Sequence, residues 1–494
     1  MSRKSPIFYS ALILTGVNLL LRFVATTFQV YISSKMGAEG VGLLQLVLSV
    51  GSLALTAGLA GIRTATMYLT AAQLGTKKKE NITHTLSACV IYSILCSTAV
   101  ASFLFLFAPK IAVAWIDNSQ TAEAIRLYAG FLPVCCLCGV MTGYFTAAGK
   151  IKTLAAVEIA EQLVSIGITI SLLTLWAKDN SIAACQSVIF GSGMGACVTL
   201  LCLTILRIRE KSPSLGPFPI WKQLMQTAIP LAVADDLKAG INTAENLMVP
   251  KRLSLYPATA APLAAFGTVC GMVFPVMMFP AAIIFSLAEL LIPEIARCNA
   301  AGSRMRICYL TRRSLRIVLL YATFACGILL SVSHPLCQKL YESADAGTYL
   351  QRYAFLVPIL YCDIIIDALN KGLGMQKISV QFNLLTAILD VLFLFILLPK
   401  YGMDGYFFSF LLTHLLNFIL SISLLLKTVK LHIPVKMPLL TTVSALTAMI
   451  LSRYPGGWFM RASIFSLSFL SLLVLTQVIS REDIRWIRGL IGAK

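Results

Sequence analysis

A chain of 494 residues that is 58% hydrophobic and 12% charged, with a mean hydropathy of +0.84, carries more apolar surface than a water-soluble core of this size can bury. The formal charge of +19 would suggest nucleic acid in a soluble protein, but here the basic residues fall in short connections between apolar runs, as in membrane loops. The 14 cysteines, among them Cys89, Cys96, Cys197, Cys202, Cys270 and Cys326, lie mostly inside apolar runs and imply small core residues, not a disulfide framework.

Taken in order, runs long enough to cross a bilayer fall at approximately 9 to 32, 41 to 69, 85 to 108, 123 to 147, 153 to 176, 182 to 206, 224 to 249, 263 to 292, 314 to 334, 349 to 370, 379 to 398, 404 to 426, 435 to 452 and 458 to 479. The expected fold is therefore all-α: a polytopic membrane protein of about fourteen transmembrane helices. The first run lacks a small-residue cleavage site and is too long for a signal peptide, so it is read as a mature helix. With Arg3 and Lys4 inside, the same side receives Lys77 to Lys79, Lys150, Lys152, Arg207 to Lys222, Arg297 to Arg316, Lys371, Lys377, Lys427 to Lys436 and the tail from Arg481. That is about 26 of the 40 Lys and Arg against about 11 outside, which puts both termini in the cytoplasm of a bacterial cell. The outer pair Lys251 and Arg252 is the exception.

A weak internal repeat sets the domain plan. Ala148-Gly149-Lys150 with the helix through Glu158 and Ser165 resembles Leu373-Gly374-Met375 with the helix through Asn383 and Asp390, about 225 residues on. The Pro- and Ser-rich stretch Arg207 to Trp221 then separates two six-helix lobes. The expected boundaries are 1–208 for the first lobe, 209–222 for a cytoplasmic linker, 223–430 for the second lobe, and 431–494 for helices thirteen and fourteen with a tail.

Polar stripes within apolar helices mark where chemistry is expected. On the seventh span Asp235, Lys238, Asn242, Glu245 and Asn246 fall within a sector of roughly 100°. A charge at bilayer depth costs roughly 3 kcal/mol, so such a stripe faces protein or a water-filled cavity. On the first span Asn18, Arg22 and Gln29 share a face about 40° wide, and no acid accompanies them. Arg22 offers a permanently charged planar fork suited to a diphosphate; pairing with Glu245 or Asp367 is its structural alternative. Arg63, towards the end of its span, either joins that site or snorkels to the interface. Asp235 and Lys238 form a local pair or contribute separately, and Glu245 is a candidate for binding a coupling cation. Glu158, Glu161 and Gln162 read as an acidic helix start that suits the macrodipole. On the tenth span Asp363, Asp367, Asn370 and Lys371 share a face, with Lys371 expected in the cytoplasmic loop and the two aspartates in a cavity or in helix packing.

Other patterns carry no chemistry. Cys135 and Cys138 form an isolated C-x-x-C in an apolar helix, which reads as packing. Gly143 to Lys150 is one residue too long for a phosphate loop and has Ile151 where Ser or Thr is required. His84, His334, His414 and His432 are scattered. The sequon Asn81-Ile82-Thr83 falls on the cytoplasmic side. No enzyme, metal or cofactor is expected.

The stretches SSKMGAEGVGLLQL (Ser33 to Leu46), GYFTAAGKIKTLAAVEIAEQLVSI (Gly143 to Ile166), NTAENLMVPKRL (Asn242 to Leu253) and FPAAIIFSLAELLIPEIA (Phe279 to Ala296) resemble the sporulation stage V protein B-like branch of the polysaccharide transporters. That branch sits in the multidrug/oligosaccharidyl-lipid/polysaccharide exporter superfamily. The resemblance implies two six-helix lobes around a central cavity, and alternating access that carries a lipid-linked saccharide of the undecaprenyl-diphosphate type, a peptidoglycan or polysaccharide precursor, across the membrane. It places Glu245 where relatives commonly have Asp, Ser165 where they often have Arg, and Arg63 where many have Pro. On this reading Arg22, Arg63, Asn18, Gln29, Asn242 and Lys238 bind substrate, while Glu245, Asp235, Asp367 and Asp363 couple or pair charge. The expected partners are the lipid-linked saccharide, the bilayer and a coupling H⁺ or Na⁺, with the chain a monomer and no nucleic acid bound. A cation-coupled multidrug and toxin extrusion pump is the alternative; it would want acids in the first lobe and no Arg. A non-transporting scaffold for envelope assembly is the second alternative.

Overall fold

The structure, a computed structural model, describes residues 6–75, 82–177, 180–209, 221–431, 436–452 and 457–478. Among these residues there are sixteen α-helices and no strand. Backbone groups in hydrocarbon must find partners within their own segment, and helices do that.

Two of the longest helices each hold two expected spans. Helix α1 (Pro6–Leu59) is broken at Gly37, with φ 69° and ψ 176°, and α14 (Gln376–Val429) at Gly402, with φ 57° and ψ −136°. A left-handed φ suits glycine, so each break falls at the residue that tolerates it best. Between them lie α2 (Ile62–Gly75), α3 (Ile82–Ile111), α4 (Ala122–Ala147), α5 (Ile151–Leu175), α6 (Ser181–Ile208), α7 (Trp221–Leu253), α8 (Pro262–Gly267), α9 (Phe274–Met278), α10 (Ala281–Ala300), α11 (Arg304–Tyr341), α12 (Ala344–Tyr353) and α13 (Val357–Gly372). Helices α15 (Lys436–Leu451) and α16 (Trp458–Leu475) follow.

Among the described residues nine helical runs are long and apolar enough to span, and ten when the pair Pro262–Met278 and Ala281–Ala300, bent by 61°, is one span. Separating the two runs at Gly37 and Gly402, and adding the polar-striped α7 and the shorter apolar α15, gives a tally that agrees with fourteen. The chain is a multi-pass membrane protein.

The second span of the expected series is not continuous. It breaks at Ala60 and Gly61, with φ 43° and 70°, before α2 begins. Tyr92 Oη donates to the Ala60 carbonyl at 3.3 Å, satisfying a group the break exposes. The eighth span is interrupted as well, by a π-helical turn over Thr268–Val273 and a bend at Phe279 and Pro280. Three tyrosines serve its carbonyls: Tyr341 Oη donates to Met272 O at 3.1 Å, Tyr361 Oη to Met277 O at 2.7 Å, and Tyr321 Oη to Pro280 O at 2.8 Å. Such turns need outside partners because the regular ladder is lost.

The repeat is visible in the backbone. At the start of α5, Ala148 N donates to Tyr144 O and Lys150 N to Phe145 O, with Gly149 at φ 71°; before α14, Leu373 N donates to Leu369 O and Met375 N to Asn370 O, with Gly374 at φ 82°. Both are the same glycine-terminated helix end.

Packing divides the chain into two compact units, residues 1–267 with 391–403, and 268–390 with 404–494. The expected lobes 1–208 and 223–430 rest on the repeat, whereas these units follow packing, and packing gathers α7 and α8 with the first. The expected linker 209–222 falls almost wholly outside the described residues, as do the loop carrying Lys77 to Lys79 and the tail from Arg481. In the first unit Ile62, Leu69, Tyr92, Tyr144, Leu203, Leu224 and Ala228 form one buried cluster. In the second, Phe465 of α16 stacks on Phe469 with ring centroids 5.6 Å apart, and both stack on Phe324.

Candidate functional site

Helix α7 keeps its apolar side against the first unit and shows its polar side. Leu224, Ala228, Val249 and Leu253 are fully buried. Thr243 Oγ1 donates to Ser49 O, and Asn246 Nδ2 to Ser49 Oγ, each at 3.0 Å, so two polar groups tie α7 to α1. Asp235, Lys238 and Asn242 are exposed and Glu245 is half-buried. Among the described residues no ion pair joins Asp235 to Lys238. An exposed charged face on a spanning helix requires water beside it, because lipid cannot accommodate it cheaply. At its end Lys251 Nζ bonds the Ala114 carbonyl, and the Arg252 guanidinium lies 3.3 Å over the Phe395 ring. Both cations are thus held by protein groups.

On α1 Arg22 is exposed and Gln29 half-buried, and both have interacting neighbours. Asn18 lies on the same helix, with its side chain outside the described residues.

Arg63 stands elsewhere than at the end of a span. The break at Gly61 puts it in the first turn of α2, which runs on to Gly75. There it lines a cavity of about 240 Å³ with Glu158, Glu161, Thr142, Thr199 and Cys135. The expectation that Glu158 and Glu161 favour the start of their helix is corrected: α5 begins at Ile151 and has no acid in its first turn, so both lie beyond the reach of the terminal dipole. Glu161 Oε2 instead accepts from Thr199 Oγ1 of α6 at 2.6 Å. The cavity thus opposes two carboxylates to one guanidinium inside the first unit. Cys138 Sγ bonds Ala196 O at 3.2 Å and all described cysteines are free thiols, as packing residues would be.

The second unit carries a polar track on α13 and α14. Lys371 is not a loop residue: it closes α13 and pairs with Asp367 at 2.6 Å, while Ser379 Oγ donates to the other Asp367 oxygen at 2.7 Å. Asp363 accepts from Asn417 Nδ2 at 2.8 Å, and Asn370 Nδ2 donates to Ser421 O at 3.2 Å. Asp390, only 6% exposed, accepts from Ser409 at 2.6 Å and Thr413 at 3.2 Å. In the sequence Asp390 and Asn383 mark only the repeat; the i, i+4 spacing of Ser409, Thr413, Asn417 and Ser421 is the signal that α14 carries a polar seam. Among the described residues no group of His, Cys, Asp and Glu is arranged to hold a metal ion.

Comparison with known proteins places this architecture. The MatE family profile matches residues 14–173. Stage V sporulation protein B of Bacillus subtilis (strain 168) is 23% identical over 418 residues, covering 81% of this chain and 80% of that protein. The inward closed conformation of the lipid II flippase MurJ superposes with a TM-score of 0.74 at 14% identity, covering 96% of this chain and 99% of that one. An inward-facing multidrug resistance MATE family transporter of the MOP superfamily superposes with a TM-score of 0.66 at 12% identity, covering 85% and 99%.

Proposed function

We propose that the chain is a stage V sporulation protein B-like member of the multidrug/oligosaccharidyl-lipid/polysaccharide exporter superfamily and that it moves a lipid-linked saccharide across the cytoplasmic membrane by alternating access, a reading supported by the similarities to stage V sporulation protein B and to the MurJ fold. The observation that carries the reading is the charge of α1: its first segment presents Arg22 with Gln29 and carries no Asp or Glu before Glu39. A helix segment that carries Arg and no acid of its own attracts anions, and a diphosphate is a strong one. In this reading Arg22 grips the diphosphate with paired hydrogen bonds. Asn18, Gln29, Asn242 and Lys238 contact the headgroup, and Arg63 adds charge. Glu245, Asp235 and Asp363 answer the coupling H⁺ or Na⁺, and Asp367 balances Lys371. The chain works as a monomer.

Headgroup accessibility of a labelled undecaprenyl-diphosphate saccharide in vesicles, with and without the protein, tests the function directly. Protein-dependent exchange of the label between leaflets is expected; no exchange under any imposed ion gradient would leave the scaffold reading. The superposition with a MATE transporter and the carboxylates Glu158 and Glu161 favour a second reading, efflux of organic cations. The double change Glu158→Gln with Glu161→Gln keeps hydrogen bonding and removes both charges. It is expected to leave lipid-linked transport within about threefold of wild type, a change below about 0.7 kcal/mol. A cation pump would instead lose its efflux.

Orientation has its own test. The bias of Lys and Arg supports cytoplasmic termini, and on that reading a cysteine at position 313 in a cysteine-free background should resist a membrane-impermeant thiol reagent in intact cells and react once the membrane is opened. Labelling in intact cells would invert the topology.

A further inference from the structure

We propose a second binding site, separate from the transport path, in a cavity of about 190 Å³ in the second unit, where Arg461 receives a phosphoryl anion such as an acidic phospholipid headgroup or free phosphate carries. Arg461 lies in the first turn of α16, and Ser331, Ser333 and His334 of α11, Gln351 of α12 and Ser452 past the end of α15 complete the wall. Among the described residues no acidic side chain lines it.

The case rests on an unanswered donor. Arg461 Nε is buried and has no hydrogen-bond partner among the described residues, although it belongs to a permanently charged group. A buried charged N–H without an acceptor is among the most costly omissions in a folded protein, and such atoms call for a ligand. The other polar groups fit an oxyanion. His334 Nε2 lies 3.1 Å from Gln351 Oε1, which occupies the Gln351 oxygen and leaves its amide N–H groups to donate. Ser331 and Ser452 hydroxyls rest on the helix carbonyls of Gly327 and Met449, at 2.7 and 2.8 Å, and can rotate towards an incoming oxygen. The wall is built rather than loose: a methyl on Gly347 would stand 2.8 Å from His334 Nδ1 and 2.9 Å from its Cα, so α12 presses α11 there.

The surroundings point to a membrane headgroup. Trp458 and Phe459, in the same turn as Arg461, are exposed, and the Lys339 ammonium lies 5.7 Å over the Trp458 ring. Exposed aromatics beside a cation are the pattern of the interfacial belt, where lipid phosphates lie.

The test uses the purified full-length protein. Native mass spectrometry would read retention of phosphatidylglycerol against phosphatidylcholine, and titration calorimetry would read inorganic phosphate. Wild type should retain the anionic lipid over the zwitterionic one, or bind phosphate, and Arg461→Gln should weaken that binding about tenfold as the charged fork is lost. Retention of lipid alone assigns the site to a headgroup, and a phosphate response alone assigns it to the free ion; both support an anion site. Arg297→Gln, at an exposed residue paired with Glu294, should change neither. Gln351→Leu, at an exposed position, gives the same reading if Arg461→Gln does not fold. Wild-type binding by these variants, or equal retention of both lipids with no phosphate response, overturns the proposal.

Discussion

Arg22→Ala is expected to leave a folded, membrane-inserted protein whose transport of lipid-linked saccharide falls about 10- to 100-fold. Hydrogen bonds to a charged partner contribute roughly 1.5 to 3 kcal/mol, and each 1.4 kcal/mol is about tenfold. Stability should move the other way or not at all. Holding an Arg at membrane depth costs about 3 kcal/mol, so its removal relieves that cost unless a buried acid is stranded. Arg22→Lys keeps the charge and loses the paired geometry, so its transport should fall between the two. Because Arg22 and Glu245 both have interacting neighbours, the double change Arg22→Ala with Glu245→Ala separates substrate binding from charge balance. Vesicle transport by each variant, at matched reconstitution, is the measurement. Wild-type transport by the double mutant would make Arg22 a counterion and remove it from the diphosphate site.

Gly267→Ala should have the largest effect on folding of any single methyl in the first unit. A Cβ there would overlap the Ala38 carbonyl and stand 2.5 Å from Gly42 N and 2.8 Å from Gly42 Cα. All three obstacles are backbone, so no rotamer change relieves them and α8 must move off α1. Overpacking typically costs 1 to 3 kcal/mol, and an obstacle that cannot rotate away puts this site near about 3 kcal/mol. Gly130→Ala in α4, where a methyl would meet nothing within 4 Å, is the control. It should be neutral or stabilising by up to about 1 kcal/mol, because Ala favours helix over Gly. Melting temperature and monodispersity in mild detergent read both. Equal melting of Gly267→Ala and wild type would mean that α8 and α1 do not approach so closely in the folded protein.

The fold was legible because hydrocarbon thickness imposes one length scale on every span, and that scale can be counted along the chain. Charged α7 was legible for the opposite reason: its stripe breaks the apolar rule on one face only. What stayed hidden was the interruption of spans. Ala60 and Gly61 sit in a predominantly apolar run, and hydropathy cannot tell a continuous helix from two helices meeting at a left-handed turn. That interruption moved Arg63 from a presumed boundary into a cavity, and with it gave Glu158 and Glu161 a role facing a guanidinium. The helix start at Ile151 was equally decisive, because a dipole argument for an acid depends on counting from the first turn. Asp390 was hidden since its partners, Ser409 and Thr413, come from beyond the break at Gly402.

The break at Gly61 also makes the position of one charge depend on the motion of another helix. A methyl at Gly61 would stand 2.9 Å from Ala232 N and 3.0 Å from Leu231 Cβ, so α7 rests directly on the turn from which α2 starts. Any tilt of α7 at that point either opens a gap in hydrocarbon-packed backbone or carries the start of α2 along. Arg63, two residues past the contact, therefore takes its position opposite Glu158 and Glu161 from where α7 rests on that turn.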